Sequence, residues 1–99
     1  MRISIEQAKF MADAARQIFG ADARLRLFGS RLDDSARGGD VDLLLESDLP
    51  VNEPALLAAR LAGRVSRQMG GRKVDVVVSA PNLQQTPLHK IAHREGILL

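Results

Sequence analysis

The chain has no cysteine, tryptophan or tyrosine, and its only aromatics are three phenylalanines among 99 residues. Without cysteine there is no disulfide frame and no thiolate metal centre, so packing alone must hold any core. With so few aromatics, that packing falls to Leu, Val, Ile, Ala and Met, and few platforms are left on which nucleic-acid bases could stack. No apolar run approaches the roughly 18 residues that a membrane-spanning helix needs. The N-terminus lacks the basic-then-apolar pattern of a signal segment, and a cytoplasmic location is expected. Neither sign of charge dominates: 14 Lys and Arg stand against 12 Asp and Glu, for a formal net charge of +2. There is no dense basic stripe, and nucleic acid is not an expected partner. Repeats, low-complexity stretches and interdomain linkers are also missing.

What remains is ordinary for one globular domain spanning residues 1–99. Hydrophobic residues make up 45% and charged residues 26% of the chain, and the length supports a modest core. Ser4 and Gln7 have the spacing of a capping box. Ala8, Met11, Ala12, Ala15, Ile18 and Phe19 then recur at helical spacing, which predicts a helix from about residue 4 to 19, stopped by Gly20. Arg24-Leu25-Arg26-Leu27-Phe28 alternates polar and apolar, the pattern of a half-buried strand. A second strand is expected from Asp40 to about Leu45. Asn52 is placed to cap a helix, with Glu53 and Pro54 in its first turn. Leu57, Leu61, Val65 and Met69 give that helix an apolar stripe, and Gly70-Gly71 ends it. Lys73 to Val78 is almost continuously β-branched and reads as a buried strand. Thr86-Pro87 opens a last helix to about Glu95, and the apolar Ile97-Leu98-Leu99 is expected to pack back on the fold. Strand, helix and strand in succession make a βαβ unit, so the second and third strands should run parallel. The fold class is α/β (α+β): a small mixed three-stranded sheet with flanking helices.

One stretch carries chemistry. Leu27-Phe28-Gly29-Ser30-Arg31 reads as a strand running into a tight turn. A polar loop follows, and then Asp40-Val41-Asp42-Leu43-Leu44-Leu45. Side chains two apart on a strand share a face, so Asp40 and Asp42 lie together. Paired carboxylates repel, and burying them is costly unless a cation compensates. Their hard oxygens suit Mg²⁺. Gly29 can adopt a positive φ and lets backbone N–H groups approach an anion, while Ser30 adds a hydroxyl and Arg31 a cationic fork. Phosphate on one side and metal-binding carboxylates on the other describe a nucleotide site.

Gly29-Ser30, nine intervening residues and Asp40-Val41-Asp42 resemble the signature of the DNA polymerase β-type nucleotidyltransferase superfamily. Asp75, inside Lys73-Val74-Asp75-Val76-Val77-Val78, matches that family's third acidic position on a later strand. The short chain is similar to the minimal nucleotidyltransferases, the MNT proteins often paired with HEPN partners as toxin–antitoxin modules. The resemblance implies a polymerase β-type core and a Mg²⁺-dependent transferase. It implies transfer of a nucleoside monophosphate, AMP from ATP, to an acceptor hydroxyl, with a HEPN-type protein as the candidate partner. Asp40, Asp42 and Asp75 would then be the catalytic metal ligands, and Gly29, Ser30 and Arg31 the nucleotide-binding residues. The alternative is a non-catalytic antitoxin-like module that neutralises a partner by occlusion.

Other features carry blander readings beside sharper ones. Arg31 could contact phosphate or pair with Asp33 or Asp34. Arg60, Arg64 and Arg67 fall on one helix face, which is usually only a solvated face, with partner docking the lesser reading. His89 and His93 are spaced to chelate zinc, but without a third ligand they are better read as surface or capping histidines.

Overall fold

A computed structural model describes residues 3–29 and 40–99. Among these residues the elements run α1 (Ile5–Phe19), β1 (Arg24–Phe28), β2 (Val41–Glu46), α2 (Pro54–Gln68), β3 (Val74–Ser79), α3 (Pro87–Glu95) and β4 (Ile97–Leu98). Helix α1 starts where its local chemistry says it should. The Ser4 side chain accepts from the Gln7 N–H at 3.0 Å, and the Gln7 side chain accepts from the Ser4 N–H at 2.9 Å, closing the capping box.

Helix α2 begins differently from expectation. Glu53, not Asn52, occupies the cap, with φ +52° and no side-chain cap bond. The following Pro54 disfavours the right-handed helical region for the residue before it, and Glu53 is left-handed.

The sheet order is β3-β2-β1-β4. Strand β1 lies antiparallel to β2, and β2 lies parallel to β3, as a βαβ unit requires. The mixed sheet is therefore as expected, with one more strand. The C-terminal Ile97–Leu98 pairs antiparallel with β1 and occupies hydrogen-bonding groups that would otherwise form an open edge. Strand β3 departs from expectation. Despite its valines it has only β2 as a sheet neighbour among the described residues, its apolar side chains are half-buried, and Asp75 is exposed.

The two faces of the sheet have different fates. Leu25, Leu27, Val41, Leu43 and Leu45 point to one face. There they form the core with Met11, Ala14 and Ala15 of α1 and Leu61 and Val65 of α2. Each fully buried leucine contributes roughly 1.5–3 kcal/mol against leaving it in water. The other face carries Arg26, Asp42, Leu44, Glu46 and Asp75. Helix α3 covers half of it, burying Leu44 and Glu46. The end of α3 comes down on β1 through Gly96, where a Cβ would collide with the Ala92 carbonyl and stand 3.2 Å from the Arg26 Cβ. Among the described residues nothing covers the half of this face next to Gly29, and there the carboxylates stand.

Candidate active site

Alternation and register place the acids. Asp40 and Asp42 share a face because they are two apart. The parallel register sets Asp42 directly beside Asp75, on strands about 4.8 Å apart. All three carboxyl groups therefore gather on the open face. Lys73, adjoining Asp40 across the strands, reaches between them: its Nζ lies 3.8 Å from Asp40 Oδ2 and 4.0 Å from Asp75 Oδ2. Nothing in the sequence alone singled out Lys73. It could have been found only by knowing the register that puts it opposite Asp40.

Asp42 is the half-buried member of the set. Partial burial raises its carboxyl above the ordinary aspartate range, and the neighbouring Asp75 and Asp40 push it further the same way; Lys73 opposes them. Such a group is short of positive charge. Among the described residues, no group of three or more acidic, histidine or cysteine side chains stands as a ready-made metal cage. Among the described residues, the Lys73 ammonium is the cation that stands between Asp40 and Asp75. The donor set still fits a hard divalent ion in its chemistry. It is all oxygen, it converges on one open face, and its innermost carboxylate lacks a full counter-charge.

Gly29 sits against this set. It has φ +79°, and a Cβ added to it would run into the Asp42 carboxylate. Only glycine takes this conformation cheaply and leaves the Asp42 oxygens their space. The turn and the carboxylates are thus packed against each other, although 13 positions separate Gly29 from Asp42 in the chain. Ser30 and Arg31 lie outside the described residues.

On the same face but under α3 lies a network that sequence reasoning missed. Glu46 is only 7% exposed. It accepts a hydrogen bond from Arg26 Nε at 2.6 Å and one from His93 Nδ1 at 2.5 Å. Burial alone would raise its carboxyl, but these two donors outweigh burial and hold it below the ordinary glutamate range. An ionised carboxylate can only accept, so His93 Nδ1 carries a proton. The available signal was parity: Glu46 continues the face of Asp40 and Asp42 at the end of β2.

The two histidines do not face a common metal. His89 belongs to the cap of α3: its Nε2 reaches the Val78 carbonyl at 2.9 Å, and its Nδ1 accepts from the Thr86 N–H at 3.1 Å. The carbonyl only accepts, so the proton is on Nε2 and Nδ1 is free to close the capping box. His93 turns instead to Glu46. Capping was among the expected roles, and a hydrogen bond to a buried carboxylate was not.

Comparison with curated proteins gives no match. A protein-family model does match, that of the nucleotidyltransferase domain, over residues 9–99. That span runs through both helices of the core, every described strand, Gly29 and all three aspartates. The chain therefore belongs to the nucleotidyltransferase domain family, of the polymerase β-type superfamily.

Proposed function

We propose that this nucleotidyltransferase moves AMP from ATP to an acceptor hydroxyl, and that Asp40, Asp42 and Asp75 form its catalytic centre. The carrying observation is the convergence of the three carboxylates on one open sheet face, with Gly29 packed against Asp42 and Lys73 as their cation. In the reaction the acceptor hydroxyl gives up its proton to water, its oxygen bonds to the α-phosphorus, the bond from that phosphorus to the bridging oxygen breaks, and pyrophosphate leaves. Charge accumulates on the phosphoryl oxygens, so catalysis consists mainly of positioning and compensation.

The residues divide that work. Asp40 and Asp42 would hold Mg²⁺ for the triphosphate, and Asp75 would join them in holding metal for the entering hydroxyl. When bound, Mg²⁺ supplies positive charge to the phosphates and lowers the pKa of the attacking group. The backbone at Gly29 offers N–H donors to the β- and γ-phosphates. Ser30 and Arg31 are assigned to the same phosphates from the sequence motif. Lys73 partly compensates the charge of Asp40 and Asp75.

The motif favours the MNT group, and with it a HEPN-type partner whose hydroxyl, a tyrosine, receives AMP in an antitoxin role. Calorimetry with ATP, with and without Mg²⁺, tests the site: Mg²⁺ should strengthen binding by offsetting repulsion between carboxylates and phosphates. Equal binding in both conditions would refute the assigned roles. A labelled-nucleotide transfer assay with a candidate HEPN-type partner tests the acceptor. Tight binding of that partner without any transfer would replace the enzyme reading with occlusion.

A further inference from the structure

On the far side of the sheet from the carboxylates, α1 and α2 leave a groove of about 410 Å³, lined by Ile18, Ala59, Arg60, Gly63, Arg64 and Arg67. An adjoining hollow of about 260 Å³ lies beside Phe10 and Gln68 and shares Arg64 and Arg67. Helix α2 contains no acidic residue at all. Its three arginines recur at i, i+4 and i+7, which gathers them along one side of the helix. None of them pairs with an acid among the described residues. Three like charges along one groove repel each other, and the fold leaves that repulsion uncompensated from within.

The groove is also built. Arg64 is fixed in place: its Nη2 donates to Gln17 Oε1 at 2.9 Å, and its guanidinium lies 6.0 Å from the Phe10 ring centroid. Gly63 is a poor helix residue in the middle of α2. It leaves the floor of the groove without a side chain, and a Cβ there would stand 3.5 Å from Arg67 Nη1. Beyond Arg60, one turn towards the start of the helix, Leu56 is 45% exposed. The stripe from Leu56 to Arg67 therefore offers an apolar anchor followed by three cations, over about three helical turns.

We propose that this groove docks an acidic amphipathic helix of a partner protein. Its carboxylates would meet Arg60, Arg64 and Arg67, and its apolar side chains would meet Leu56 and Ile18. Charge complementarity chooses the sign of the occupant, and the apolar anchor chooses its kind. A nucleic-acid strand would want an exposed ring for its bases, and the one aromatic here, Phe10, already lies beneath Arg64. A helix laid in a two-helix groove uses both the charged rim and the apolar floor. The surface lies away from the carboxylates, so the inference stands or falls independently of the catalytic reading.

The test uses fluorescence anisotropy with the full chain. The probe is a labelled helical peptide of about four turns, with glutamates at i, i+4 and i+7 and leucines on the adjoining side. A scrambled peptide of the same composition and a labelled oligoadenylate RNA serve as comparators. The patterned peptide should bind at least about tenfold tighter than the scramble, and the double variant Arg60→Glu/Arg67→Glu should lose at least about tenfold. Rising salt should weaken binding. Thermal melts check that the variant is folded, and Arg60→Gln/Arg67→Gln repeats the measurement if charge reversal disturbs folding. Equal binding of patterned and scrambled peptides, equal binding by wild type and variant, or tighter arginine-dependent binding of the RNA would each overturn the proposal.

Discussion

Replacing Gly29 by alanine should damage the fold and the site together, and the two effects can be separated. The backbone at Gly29 has φ +79°. An L-residue in the left-handed region loses roughly 1–2 kcal/mol. The new methyl would also collide with the Asp42 carboxylate, and overpacking of that kind typically adds about 1–3 kcal/mol. Gly29→Ala should therefore cost about 2–5 kcal/mol. Each kcal/mol lowers the melting temperature by about 4–8 °C in a domain of this size. The steric part can be removed at its source. With Asp42→Ala in place, the nearest remaining atom of residue 42 is its Cβ, 3.4 Å from the added methyl, an ordinary contact. In that background Gly29→Ala should cost only the backbone part. A double-mutant cycle by chemical denaturation would then show a coupling of roughly 1–3 kcal/mol between a turn residue and a strand residue. Transfer activity should fall in Gly29→Ala, because the carboxylate must turn away from its position to make room. A cycle with no coupling, or Gly29→Ala as stable as wild type, would refute the claim that the turn is packed against Asp42.

Asp42→Asn should keep or raise the melting temperature at neutral pH without metal, because the raised carboxyl at this position penalises the ionised form. The same variant should lose at least about a thousandfold in nucleotide transfer, since it removes transition-state charge compensation; transfer at the wild-type rate would remove the centre of the enzyme reading. Ser30→Ala should be milder, because the backbone donors of the motif remain. Arg26→Met should destabilise the fold by about 2–3 kcal/mol, below the 3–5 of a fully dry pair, because His93 stays bonded to Glu46 and the Arg26 side chain is 21% exposed. Glu46 lies below its unfolded value, so its contribution is present above the ordinary glutamate range and is lost as pH falls through the folded value. Acid titration of stability should therefore be shallower in Arg26→Met than in wild type, and parallel curves would contradict this account of the network.

Much of the molecule was legible from local rules. The capping box of α1, the glycine stops, the apolar stripes and the alternation of β1 are properties of neighbours within a turn or a strand, and each expected helix and strand formed within a residue or so of its expected limits, whereas β4 was not expected as a strand. The shared face of Asp40 and Asp42 belongs to the same class, since strand parity requires nothing from the rest of the chain. The family motif added Asp75, which no local pattern ties to Asp42.

Tertiary structure decided which strands have neighbours and what lies over each face. Val74 to Ser79 has the composition of a buried strand, but burial depends on the number of neighbouring strands, and β3 has one. Glu46 lies just past the expected end of the second strand, and nothing local gives it a partner. Its partners come from 20 positions earlier and 47 later, and only the descent of α3 across the sheet brings them together. Lys73 acquires its place between Asp40 and Asp75 from the register of β2 against β3. Periodicity and capping act over about four residues, so a single sequence reveals them directly. Register, edges and the covering of a face are set by contacts between distant segments, and they exist only once the chain has closed on itself.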